Sequence, residues 1–164
     1  MSNYLNKNFF VNLFTILIIF SLDRISKVYV ISQSEKNLFN DLYQSKFLNI
    51  SLIWNEGIAF GLLSFEKNHF YNILTFLILI VVILIFFMIL RSERLKKYSL
   101  LMIFGGAIGN LYDRIFFKAV PDFIDFHIGN FHWFVFNVAD IFITLGIFFM
   151  ILLEFTDNNK SEKS

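Results

Sequence analysis

Between Phe70 and Leu90 the chain runs 21 residues without one charged side chain. In a bilayer, about 20 apolar residues rising ~1.5 Å each cross the ~30 Å hydrocarbon layer as a helix. Three further segments, about 9–31, 98–117 and 133–153, have the same apolar character but carry a few polar or ionisable groups. With 57% hydrophobic residues and a mean hydropathy of +0.64, the chain is too apolar for a water-soluble domain, whose helices need a polar face. The pattern predicts an all-α integral membrane protein with four transmembrane helices.

Basic residues set the expected orientation, because they accumulate in cytoplasmic loops. The loop RSERLKK holds Arg91, Arg94, Lys96 and Lys97 within seven residues, whereas the loop at 32–69 balances its lysines with acids. Four spans with RSERLKK inside place both termini in the cytoplasm and segments 32–69 and 118–132 outside. The first apolar segment continues through Asp23, Arg24 and Lys27 without a small-residue cleavage pattern, so it reads as a span rather than a secretory signal. One membrane-embedded domain over 1–156 is expected, followed by a charged cytoplasmic tail at 157–164.

The net charge of +1 says nothing about partners, but the absence of a basic block argues against a nucleic-acid partner, and the absence of cysteine excludes disulfides, thiolate zinc sites and a thiol nucleophile. The outer loops carry strand signals. Leu48, Ile50, Leu52 and Trp54 alternate with Asn49, Ser51, Ile53 and Asn55, close to period 2. Phe126-His127-Ile128 and Phe131-His132-Trp133 flank Gly129-Asn130 as a hairpin flanks a two-residue turn. A small extracytoplasmic β-sheet is expected, with His127 and His132 facing each other across the hairpin.

Ionisable groups at membrane depth cost roughly 2.5 to 3.5 kcal/mol each and by default mark function. Asp122 follows the third apolar segment and Asp140 lies about two turns inside the fourth, so both fall near the same membrane face. Asp23 and Lys27 are four apart, acid before base, the favourable order for a helical ion pair. Asn110 and Arg114 repeat that spacing with Asp113 beside them, and Asn137, Asp140 and Thr144 share one face. Gly105 and Gly109 form a small-xxx-small face suited to close helix packing. Two carboxylates held ~4 Å apart would repel by ~4 kcal/mol at an effective dielectric near 20, roughly three pK units, so one would keep its proton at neutral pH. A pair sharing one proton can deprotonate a water and protonate a leaving amine, as in aspartic proteases.

The ordered blocks DRISK at 23–27, NEGIAFG at 55–61, GGAIGNLYDRI at 105–115, VPDFIDF at 120–126 and FNVAD at 136–140 give the chain a resemblance, over essentially its whole length, to the lipoprotein signal peptidase (signal peptidase II) family. The resemblance implies a four-span aspartic endopeptidase of the bacterial inner membrane, with its site near the outer leaflet. Such an enzyme cleaves the signal peptide from diacylglyceryl-modified prolipoproteins just before the lipidated cysteine. Asp122 and Asp140 would be the catalytic dyad. Asn55, Gly57, Asn110, Arg114 and Asn137 would bind substrate or position the dyad, with Asp23 and Lys27 in support. No metal and no cofactor is implied, membrane lipids are the surroundings, and a monomer is expected. Pro121 departs from the apolar, often β-branched residue expected before the aspartate, and it removes a backbone donor next to Asp122.

Other readings have less support. A metalloprotease built on His69, His127 and His132 lacks HExxH, and a serine mechanism lacks GxSxG. A small proton- or cation-coupled transporter using Asp23, Asp122 and Asp140 explains the buried acids. It leaves NEGIAFG and the shared membrane face of the two aspartates without a purpose.

Overall fold

The computed structural model describes residues 2–36, 41–57 and 67–161. Its elements run α1 Ser2–Lys36, β1 Asp41–Gln44, β2 Leu48–Asn55, α2 Lys67–Arg91, α3 Arg94–Phe116, β3 Val120–Ile128, β4 Phe131–Phe136 and α4 Val138–Ser161. Three of the helices contain stretches long and apolar enough to cross a membrane: Asn8–Lys36, Tyr71–Arg91 and Val138–Thr156. Their outward faces display Phe14, Leu17, Phe76, Leu84, Phe148 and Ile151, each at least half exposed or close to it, as side chains in contact with acyl tails would be.

The third helix, α3, is as long as a span but carries Gly105, Gly106, Gly109, Asn110, Asp113 and Arg114, which lower its hydropathy. Its position explains the composition, because α3 packs against all three other helices. Leu100 and Leu101 form a buried cluster with Ile89 of α2, and Ile16 of α1 and Met150 of α4 pack around it. The glycines set how near the helices come. A Cβ on Gly106 would lie 2.5 Å from the Ala139 carbonyl oxygen of α4, one on Gly105 would meet Ile19 of α1 at 3.0 Å, and one on Gly109 would reach the Asp23 carboxylate at 2.5 Å. Small residues at these positions let backbones and polar side chains meet inside the bundle.

The four strands form one antiparallel sheet in the order β1-β2-β3-β4. The alternation expected over 48–55 is strand β2, which pairs with β3 from Leu48↔Phe126 to Asn55↔Val120. One extra residue on β2 interrupts the register between Ile50 and Ile53, opposite the step from Ile124 to Asp122. Such bulges re-aim side chains next to functional sites. The expected hairpin forms, with Ile128↔Phe131 closing the turn and Gly129 at φ 60 in its first position, a conformation that favours glycine.

Both ends of the fourth span differ from the sequence reading. The fourth span does not begin at residue 133, because β4 occupies Phe131–Phe136 and α4 starts at Val138. A run of aromatic residues suits an exposed strand on a membrane surface as well as a helix, so apolar character alone does not separate the two. Asp140 consequently lies in the first turn of α4 rather than two turns in. At the other end α4 continues through Ser161, so the charged tail expected from 157 begins as helix. Pro121 lies within β3, nearly fully buried, where the pairing to β4 has not yet begun and β2 is the neighbour. A stretch paired on one side accommodates a residue that cannot donate.

Candidate active site

The end of the bundle beneath the sheet holds a set of buried polar side chains drawn from α1, α3, β3 and α4. Lys27, fully buried, is its centre. Its ammonium contacts Asp23 one turn earlier at 2.8 Å, Asp113 of α3 at 2.7 Å and the Asn110 side-chain oxygen at 2.8 Å. Arg24 closes the arrangement from the flank, 2.9 Å from Asp23 and 2.6 Å from Asp113, with its guanidinium 4.9 Å from the centre of the Tyr112 ring. Two carboxylates thus meet two cations, and the buried quartet is neutral. That balance decides whether the arrangement is tolerable, since an ion taken out of water without a partner costs several kcal/mol.

From this base, amides reach the two aspartates singled out in the sequence. Asn110 accepts from Lys27 and donates through Nδ2 to Asp140 at 2.8 Å. Asp23 accepts from the backbone N–H of Ala139 at 3.1 Å, fixing the start of α4 where Asp140 resides. Asn137, between β4 and α4, joins both acids. Its Nδ2 donates to Asp122 at 2.6 Å and its backbone N–H to Asp140 at 3.1 Å, while its side-chain oxygen accepts from the Asp140 N–H at 3.1 Å. Asn137 and Asp140 thereby exchange bonds in the manner of a helix capping box, with the carboxylate in the favourable first turn. Asn55, at the end of β2, donates to the other Asp122 oxygen at 2.8 Å.

Asp122 is 4% exposed. Burial pushes its carboxyl above the ordinary aspartate range, and the charge of Asp140 adds to the effect, against the opposing pull of the Asn55 and Asn137 amides and of Lys27. A cavity of about 200 Å³ opens beside Asp140, lined by Phe134, Phe136, Ile141, Thr144 and Leu145. The Asp140 carboxylate thus has a largely apolar recess next to it.

The structure brings Asp23, Lys27, Asn55, Asn110, Asp122, Asn137 and Asp140 together through direct hydrogen bonds. Arg114 and Gly57 lie to one side. Gly57 takes φ 75, its N–H donating to the Asn55 side-chain oxygen at 2.7 Å, and a Cβ there would lie 2.8 Å from an Arg114 guanidinium nitrogen. Arg114 sits over the Tyr71 ring at 5.8 Å, and among the described residues its Nη1 has no hydrogen-bond partner. The shared spacing of Asn110 and Arg114 therefore does not give a shared target: Asn110 serves Asp140, and Arg114 faces Gly57. The remainder of NEGIAFG, residues 58–61, lies outside the described residues.

Sequence reasoning passed over Arg24 and Asp113 as members of the site. The signal was present in the charge count, since two buried acids on facing helices require two cations. It could not be read without knowing that α1 and α3 face each other.

The network makes a direct prediction about stability. Replacing Lys27 by Met leaves Asp23 and Asp113 with one cation between them and should cost about 3–5 kcal/mol, seen as a large loss of thermal stability in detergent. Lys96→Met, which removes an exposed contact 3.3 Å from Glu154, should cost about 1 kcal/mol or less. Comparable melting of both variants would show that Lys27 carries no special burden.

Comparison with known proteins gives a consistent result. A lipoprotein signal peptidase of Pelagibacter ubique is 52% identical over 154 residues, covering 94% of this chain and 93% of that protein. The enzyme of the same name from Anaplasma marginale is 36% identical over 90% of this chain and 86% of its own length. Two solved bacterial membrane enzyme structures share the fold, at TM-scores of 0.69 and 0.71 and identities of 27% and 26%, over 92% and 87% of this chain and 90% and 91% of theirs. The family model for signal peptidase (SPase) II matches residues 15–156, a stretch that holds every side chain of the network described above, and the chain belongs to that peptidase family.

Proposed function

We propose that this chain is the aspartic endopeptidase that removes signal peptides from diacylglyceryl-modified prolipoproteins, cleaving before the lipidated cysteine with Asp122 and Asp140 as the dyad. The observation that carries this reading is the convergence of both acids on Asn137, which holds one carboxylate from the sheet and one from the first turn of α4. With a single proton between them, one carboxylate takes a proton from water as the oxygen attacks the scissile carbonyl. The other gives its proton to the departing amine, and the pair returns to its starting state after the products leave. Asn110 and Asn55 keep the two acids oriented. Lys27 offsets part of their negative charge without touching either in a described bond.

The recess of about 200 Å³ beside Asp140, lined by aromatic and aliphatic side chains, suits the apolar part of a lipid-anchored peptide. Arg114 and Gly57 border the approach to Asn55, where a guanidinium can hold a substrate carbonyl or headgroup oxygen. We read the chain as a monomeric domain over 1–156 in the bacterial inner membrane. It crosses four times, counting α3 as a span hidden among the others, with both termini and Arg91–Lys97 inside and the sheet at the outer face. A transporter would leave the paired acids without a peptide to cut.

Asp122→Asn and Asp140→Asn should each abolish cleavage of a diacylated prolipoprotein, by about 10³-fold or more, while the purified proteins remain folded. Unmodified prolipoprotein should not be cut by the wild type. Substantial turnover by either variant would remove that aspartate from the chemistry. Orientation is tested by single-cysteine labelling in intact cells. Ser92→Cys should react only after permeabilisation and Asn130→Cys without it, and the reverse pattern would put the dyad at the cytoplasmic face.

A further inference from the structure

On the hairpin, away from the dyad, Asp125, His127 and His132 bring one ligand atom each within 4.8 Å of one another. Strand geometry accounts for the convergence. Asp125 and His127 are two apart on β3 and share a sheet face, and His132 is the cross-strand partner of His127. The same alternation puts Asp125 on the face opposite Asp122. An extra residue on β4, between its pairings at Val135 and His132, shifts the register and seats His132 against Asp125, with Nδ1 and Oδ2 2.8 Å apart. The two imidazoles stack with centroids 5.0 Å apart.

Two features are unexplained by an ion pair alone. Asp125 is 5% exposed, and among the described residues its second oxygen, Oδ1, is buried with no hydrogen-bond partner, as is Nδ1 of His127. A carboxylate oxygen is an electron-pair donor, and so is an imidazole nitrogen in the tautomer that leaves it unprotonated; each then calls for a proton donor or a cation.

We propose that Asp125, His127 and His132 form a three-ligand site for a divalent cation of the zinc class, bracing the hairpin that continues the Asp122 strand. Two imidazoles and one carboxylate are a donor set that zinc accepts, with water completing four-coordination. Ligands at about 2.0–2.1 Å from a tetrahedral ion stand roughly 3.3–3.4 Å apart. Closing from 4.8 Å needs only side-chain rotation, which is open to His132 because its side chain is 54% exposed. The metal has no part in peptide cleavage. It ties β3 to β4 beyond the point where Asp125↔Val135 pairing gives way to the shifted register.

The test uses the full chain, free of any histidine tag, stripped with chelator in detergent and titrated with Zn²⁺ by calorimetry and with Co²⁺ by visible absorption. One Zn²⁺ per chain should bind, and Co²⁺ should give the intense visible bands of a four-coordinate ion. His132→Gln and His127→Gln should each weaken Zn²⁺ by more than the roughly 10- to 100-fold that loss of an outer-shell partner costs. Asp125→Asn should weaken it as well, and His69→Gln should leave it unchanged. Absence of saturable uptake would overturn the proposal, as would wild-type affinity in both His127→Gln and His132→Gln, which would reduce the cluster to a stacked pair beside a carboxylate.

Discussion

Everything at the sheet end of this bundle depends on a charge balance that Lys27 completes. Four ionised side chains are packed where water is scarce, and the set is neutral because Lys27 and Arg24 meet Asp23 and Asp113. Geometry follows from electrostatics. The cations draw α1 against α3, Gly109 leaves room for the Asp23 carboxylate between them, and the Asp23 oxygen that meets Lys27 also accepts from the Ala139 N–H and so fixes the first turn of α4. Without that neutral base, Asn110 would have no fixed position from which to hold Asp140.

A second layer of amides stands between the ion cluster and Asp122 and Asp140, the pair proposed as the dyad. Asn55, Asn110 and Asn137 are uncharged, so they orient the two aspartates without neutralising them. This distinction separates support from chemistry: a lysine bonded directly to Asp122 would pin it as an anion, whereas amide donors leave it able to exchange a proton. The sheet contributes Asp122 from its own strand ladder, with the bulge on β2 opposite, and α4 contributes Asp140 from a helix start. Carboxylates on different elements can be aimed at each other more freely than two on one helix.

Much of this was legible in the chain because the physical signals were local. Charge-free length gave α2, four-residue spacing gave the Asp23–Lys27 pair, and Gly129-Asn130 between aromatic triplets gave the hairpin. Family blocks pointed to Asp122, Asp140 and the asparagines. What was not legible depended on contacts distant in sequence. Arg24 looked like one more charge within the first span until Asp113 was found opposite it. The aromatic run from Trp133 read as the beginning of a span because strands and helices at a bilayer surface use the same side chains, and the bulges appear only when the strands are set side by side. Helix α3 shows the converse: its low hydropathy comes from glycines and polar residues, several of them buried against the other helices.

On the function proposed above, Asp122 and Asp140 share one proton at working pH, each held by amide donors. The pH dependence of kcat/KM on a diacylated substrate tests it most directly. Because burial raises the Asp122 carboxyl and the Asp140 charge raises it further, its protonated form persists above the pH at which an ordinary aspartate, near 3.9, has ionised. The profile should be a bell whose limbs belong to the pair. Its alkaline limb, where the last shared proton leaves, should fall well above the ordinary aspartate range. A profile with no alkaline limb, or one whose activity is already lost as pH rises through about 4, would contradict the shared proton and with it the arrangement of the site.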